Sequence, residues 1–128
     1  MDVLDSETLA TLRDLQQEGD DDLLTELIDL FLADAPARLT GVRESIARED
    51  WRALASWAHS LKGSCGSLGA LQMAELCARL EQHERGDAAR PVAEATCREL
   101  EGHFQVVCEA LRRERDRTPS LESASAAE

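Results

Sequence analysis

Tyrosine is absent from this 128-residue chain, and aromatic residues make up only 3% of it. β-Branched residues are sparse as well, so the side chains that favour pleated sheet are scarce. Ala, Leu, Glu and Arg dominate instead, and an excess of strong helix formers predicts an all-α fold. No apolar run reaches 18 residues, so no membrane span is expected. The start, Met1-Asp2-Val3-Leu4-Asp5, lacks the basic residues and apolar stretch of a signal peptide, which makes a cytoplasmic location the expectation. Positive charge is in deficit, with 14 Lys and Arg against 26 Asp and Glu and a net charge of −12. Such a polyanion is repelled by nucleic acid and by anionic lipid. The four cysteines, at 65, 77, 97 and 108, form no Cys-x-x-Cys pair, which argues against a zinc or redox motif. Cys65, Cys77 and Cys97 fall on apolar stripes and read as buried free thiols rather than a disulfide framework.

What is present is helical periodicity. A short first helix is capped by Asp5 or Ser6, has an apolar edge of Leu9, Leu12 and Leu15, and ends at Gly19. The run Asp20-Asp21-Asp22 suits the start of a second helix, predicted from about Asp21 to Arg48. Its stripe is Leu24, Ile28, Phe31, Ala35, Leu39, Val42 and Ile46. Pro36 lies inside it and predicts a kink, since the stripe stays in phase across the proline. Asp50 caps a third helix with the stripe Leu54, Ala58, Leu61, Cys65 and Leu68, ending at Gly66 or Gly69. A fourth helix from about Ala70 to Arg85 buries Ala70, Met73, Cys77 and Leu80, with a turn at Gly86-Asp87. Pro91 suits the first turn of a fifth, which buries Ala93, Cys97, Leu100, Phe104, Val107 and Leu111 and frays near Arg117. The expected architecture is an antiparallel four-helix bundle over residues 1–117, with a short additional N-terminal helix. Residues 118–128 hold too little apolar surface to fold and read as a disordered tail.

The third helix carries an unusual outer face. Counting ~100° per residue from the centre of its apolar stripe, His59 falls near ~140° and points to solvent. Ala55, Ser56, Lys62 and Gly63 surround it within one turn, and Gly66 follows one turn on. Each mid-helix glycine costs about 1 kcal/mol relative to Ala, yet here the glycines clear space around the ring. A neutral imidazole is a competent nucleophile near pH 7. Lys62, three residues on, shares its face and can hold phosphoryl oxygens. The same residues also fit an ordinary surface histidine, with Gly63 ending the helix and Gly66 admitting a neighbour.

The segment Ala58-His59-Ser60-Leu61-Lys62-Gly63-Ser64, followed by Leu68-Gly69-Ala70 and Cys77-Ala78-Arg79-Leu80-Glu81, resembles the signature of histidine-containing phosphotransfer (HPt) domains. Leu27-Ile28-Asp29-Leu30-Phe31 and the Pro36 region are similar to the family's long second helix, and the resemblance covers about residues 4 to 115. It implies that His59 is the phospho-acceptor, that Lys62 supports the phosphoryl group and that Gly63 leaves room for the partner. Glu81 stands where members often carry Gln or Glu near the imidazole, and a simple surface carboxylate fits it equally well. Ala55, Ser56, Ser60 and Gly66 would form the docking ground around His59. The implied partners are response-regulator receiver domains or a hybrid histidine kinase, and the chain is expected to be a monomer. The receiver would supply Mg²⁺, so no cofactor or metal site is expected here.

No Gly-x-Gly-x-x-Gly or Gly-Lys-Ser/Thr string occurs, and the expectation is a carrier without kinase activity of its own. The rival readings are a non-catalytic helical adaptor and an HPt domain excised from a hybrid kinase. The initiating Met and the tail point to a complete small protein instead. His83 reads as a surface residue, His103 as one at a bundle edge, and Trp51 and Trp57 as packing residues. Leu9 and Leu12 are alternatively an exposed docking patch beside His59.

Overall fold

The computed structural model describes residues 3–15, 23–83 and 89–117, and among these every regular element is a helix. They are α1 (Ser6–Leu15), α2 (Leu23–Ala47), α3 (Trp51–Ser67), α4 (Leu71–Glu81) and α5 (Ala89–Arg117). Helices α2 to α5 pack in a ring, each against the next and α5 against α2. Three-residue links join α2 to α3 and α3 to α4, which makes those neighbours antiparallel.

The core is built from the stripes read in the sequence. All seven α2 positions from Leu24 to Ile46 are buried, as are Leu54, Ala58, Leu61, Cys65 and Leu68 around α3. Ala70, Met73, Cys77 and Leu80 face them from the α4 side, with Leu76 added. From α5 come Ala93, Cys97, Leu100, Val107 and Leu111, together with Cys108. Phe104 is half-buried and meets Phe31 at 6.0 Å between ring centroids, tying α5 to α2. Burying each large side chain stabilises the fold by about 1.5–3 kcal/mol. All four cysteines are free and buried.

Local signals explain the helix ends. Asp5 Oδ2 accepts from the Thr8 amide at 3.1 Å and from the Thr8 hydroxyl at 2.6 Å, capping α1. Asp50 Oδ1 accepts from the Ala53 amide at 3.1 Å, capping α3. Helix α2 runs through Pro36 without dividing. Helix α3 stops at Ser67 because Gly69 takes a φ of +78° and lets the Ala70 amide return to the Cys65 carbonyl at 2.9 Å. A β-carbon on Gly69 would also press on Thr8 and Asp5 at 3.0–3.2 Å, and the Asp5 amide donates to the Gly69 carbonyl at 2.8 Å. The start of α1 is thereby stapled to the α3–α4 turn.

One boundary differs from expectation. Helix α4 ends at Glu81 rather than Arg85, since Leu80 is its last core residue and the polar Glu81-Gln82-His83 run has no stripe to continue. Helix α5 begins at Ala89 and holds Pro91 in its first turn, as expected, where a missing N–H costs nothing. The expected stop at Gly19, the Asp20-Asp21-Asp22 run, the Gly86-Asp87 turn and the 118–128 tail lie outside the described residues.

Candidate functional site

Helix α3 buries Ala58 and Leu61, and that rotation turns His59 outward, with its side chain 71% exposed. Gly63 and Gly66 share its face, and a β-carbon on either would meet nothing within 4 Å. Ser56 and Ser60 are exposed beside the ring and Ala55 is half-buried on its flank. Apart from Lys62, no long side chain of this set stands near the imidazole.

Helix α4 supplies the partner. Glu81 follows the buried Leu80 and leans across the α3–α4 seam. Its Oε1 lies 2.5 Å from His59 Nδ1, and its Oε2 accepts from Lys62 Nζ at 2.5 Å. The hydrogen bond from Lys62, and after it the one from His59, hold the Glu81 carboxyl below its ordinary value, although desolvation opposes them. Glu81 is therefore a carboxylate at neutral pH, and a carboxylate only accepts. In the neutral ring Nδ1 then carries the hydrogen, which leaves the lone pair on Nε2.

The structure thus brings His59, Lys62, Gly63 and Glu81 together, with Ala55, Ser56, Ser60 and Gly66 around them. Of the two readings of Glu81, the ring contact is the one observed. Spacing along one helix does not signal the bridge from Glu81 to Lys62, because it joins α4 to α3. A second such link is a hydrogen bond from Arg38 Nη1 on α2 to Ser64 Oγ on α3. No local spacing in the sequence signals it.

Two other expectations are corrected or refined. Leu9 is buried and Leu12 is half-buried against the core, so neither forms an exposed patch beside His59. The capped α1 lays Leu9 and Leu12 inward, while Leu15 at its end stays exposed. His83 is not a plain surface residue. The early end of α4 turns it back onto Trp51, with ring centroids 5.1 Å apart, and its Nε2 is buried with no partner among the described residues. Trp51 packs as expected, and so does Trp57, whose indole lies against Gly41 on one face while the side chain stays 40% exposed.

A cavity of about 250 Å³ is lined by α2 and α5 residues, including Arg43, Arg90 and Glu101, and holds none of the candidate residues. Among the described residues, no group of three or more His, Cys, Asp or Glu could hold a metal ion. Among them too, no helix is long and apolar enough to cross a membrane.

The likeness to known proteins follows the same lines. A model of the Hpt domain family matches residues 26–123. Histidine-containing phosphotransfer protein 5 of Arabidopsis thaliana is 35% identical over 69 residues, which span 52% of this chain and 44% of that protein. The chain thus aligns with less than half of that relative's length. The crystal structure of histidine-containing phosphotransfer protein B (HptB) from Pseudomonas aeruginosa PAO1 is similar with a TM-score of 0.75 and 30% identity, over 90% of this chain and 96% of that one. The family model spans well over half of the chain, and with the matched helical bundle it establishes that this chain belongs to the Hpt domain family.

Proposed function

We propose that this chain is a phosphoryl carrier of a multistep phosphorelay, taking the group from the aspartyl phosphate of one receiver domain onto His59 and giving it to the aspartate of another. The observation that carries this reading is the pose of His59, whose Nδ1 is held by Glu81 while its side chain stays 71% exposed beside two glycines with open space above them. In acceptance, the Nε2 lone pair attacks phosphorus, a P–Nε2 bond forms, the P–O bond to the receiver breaks and the aspartate leaves as a carboxylate. Donation is the reverse. The Nδ1 hydrogen stays on the ring, where the Glu81 carboxylate offsets the positive charge that develops, much as an oriented carboxylate supports a catalytic imidazole elsewhere.

Lys62 stands where its ammonium can meet the phosphoryl oxygens. Gly63 and Gly66, with Ser56, Ser60 and Ala55, leave a surface low enough for the rim of a receiver's active site to close over the ring. The receiver brings the Mg²⁺ that the transfer uses. In this reading the chain is a cytoplasmic monomer. It serves response regulators or a hybrid kinase and does not itself draw phosphate from ATP.

Incubation with a phosphorylated receiver domain tests the proposal. The chain should acquire a label that is lost in acid and stable in base, and His59→Gln should abolish it while leaving helical circular dichroism unchanged. Labelling that survives in His59→Gln refutes the assignment.

A further inference from the structure

The carboxylate of Glu81 is shared. One oxygen holds the His59 ring and the other holds the Lys62 ammonium, each at 2.5 Å. The backbones that close this bridge are fixed, because Lys62 follows the fully buried Leu61 and Glu81 follows the buried Leu80. Arg79, the nearest cation in sequence on α4, pairs with Glu75 and Glu99 instead, at 3.9 Å each. The Lys62 ammonium is thus already engaged before any phosphoryl group arrives.

A phosphoryl group on Nε2 brings close to two negative charges to the opposite side of the ring. Lys62 then has two competing anions, the phosphoryl oxygens and Glu81, and the two anions repel each other through the small imidazole. We propose that Glu81 is a positioning residue that restrains Lys62 from pairing fully with the phosphoryl group, so that phospho-His59 is kept labile and poised to donate. This rests on His59 being the phosphoryl carrier. In donation the P–Nε2 bond breaks, its electron pair returns to Nε2, and a P–O bond forms to the receiver aspartate. In hydrolysis the new P–O bond is to water, and inorganic phosphate leaves.

Glu81→Gln separates the two contacts. The amide oxygen still accepts the Nδ1 hydrogen, but the amide nitrogen cannot accept from Lys62 and carries no charge. The side chain is nearly isosteric and sits on a partly exposed seam, so the bundle is preserved, as circular dichroism will verify. Phosphoramidate, a small P–N donor that releases ammonia, serves as the probe and needs no partner. After the donor is removed, ³¹P NMR follows the decay of phosphohistidine. The expected result is a decay at least threefold slower in Glu81→Gln than in the wild type. In a Lys62→Ala background the same substitution should change the decay by much less, because the restrained group is gone. Wild type that loads, with loading lost in His59→Gln, but decays at the same rate as Glu81→Gln overturns the inference alone. An equal effect of Glu81→Gln with and without Lys62 overturns it too. Wild type that never loads on His59 overturns the carrier reading itself.

Discussion

Gly41 on α2 lies directly beneath the Trp57 indole on α3. A β-carbon on Gly41 would come within 2.4 Å of Cδ2 and Cε2 and 2.8 Å of Nε1. The contact sets how closely the two helices approach two residues before His59. Gly41→Ala should therefore lift the indole or part the helices and destabilise the fold by about 1–3 kcal/mol, the usual range for overpacking.

Gly63 offers the opposite test, because space there is open. Gly63→Ala should raise stability, by up to about 1 kcal/mol, through helix propensity. Gly63→Leu should hold stability while slowing transfer from a receiver, since the branched side chain stands in the docking ground. Urea midpoints and transfer rates measured on the three variants decide the matter. Equal midpoint shifts for the two alanines, or undiminished transfer in Gly63→Leu, would contradict this account.

Lys62→Ala should slow acceptance from a phosphorylated receiver by about tenfold. That is less than the ~10²-fold typical of a buried anion-stabilising donor, because solvent screens this site. Lys62→Arg should retain most of the rate. Rapid-quench labelling reads both, and unchanged kinetics in Lys62→Ala would remove the ammonium from the mechanism.

Glu81 gives a pH signature whose sign is fixed. Its carboxyl is held low in the folded state, first by Lys62 and then by His59, so the folded protein binds its proton less readily than the unfolded chain. The stability this contributes is complete above the ordinary glutamate range and fades as pH falls through the lowered folded value. The Glu81 carboxyl carbon, followed by NMR, should titrate below the ordinary range of about 4.3. In Lys62→Ala its midpoint should climb, since the largest cause is gone. A wild-type midpoint at or above the ordinary range would show that the bridge does not persist in solution.

Much of the bundle was legible because helix periodicity is a local property. The stripes from Leu24 to Ile46 and from Leu54 to Leu68 are the buried faces, and Asp50 caps α3 through the amide three residues on. His59 could be placed outward by rotation alone, since Ala58 and Leu61 must point inward. The end of α4 was less legible. Helix propensity runs on through Gln82, whereas the loss of core-facing residues after Leu80 decides the stop. Leu9 and Leu12 show a further limit. An apolar edge states that a face will be covered, not which element covers it.

Within one helix, the order of residues settled which faces are apolar, where the caps fall and that His59 looks outward with Lys62 and Gly63 beside it, because 3.6 residues per turn relate neighbours without any reference to the rest of the chain. The bridge of Glu81 to both His59 and Lys62, the seat of Trp57 on Gly41 and the closure of His83 onto Trp51 were decided only when separate elements packed. Each depends on the register and spacing of one element against another, and those follow from how the whole core fills its volume.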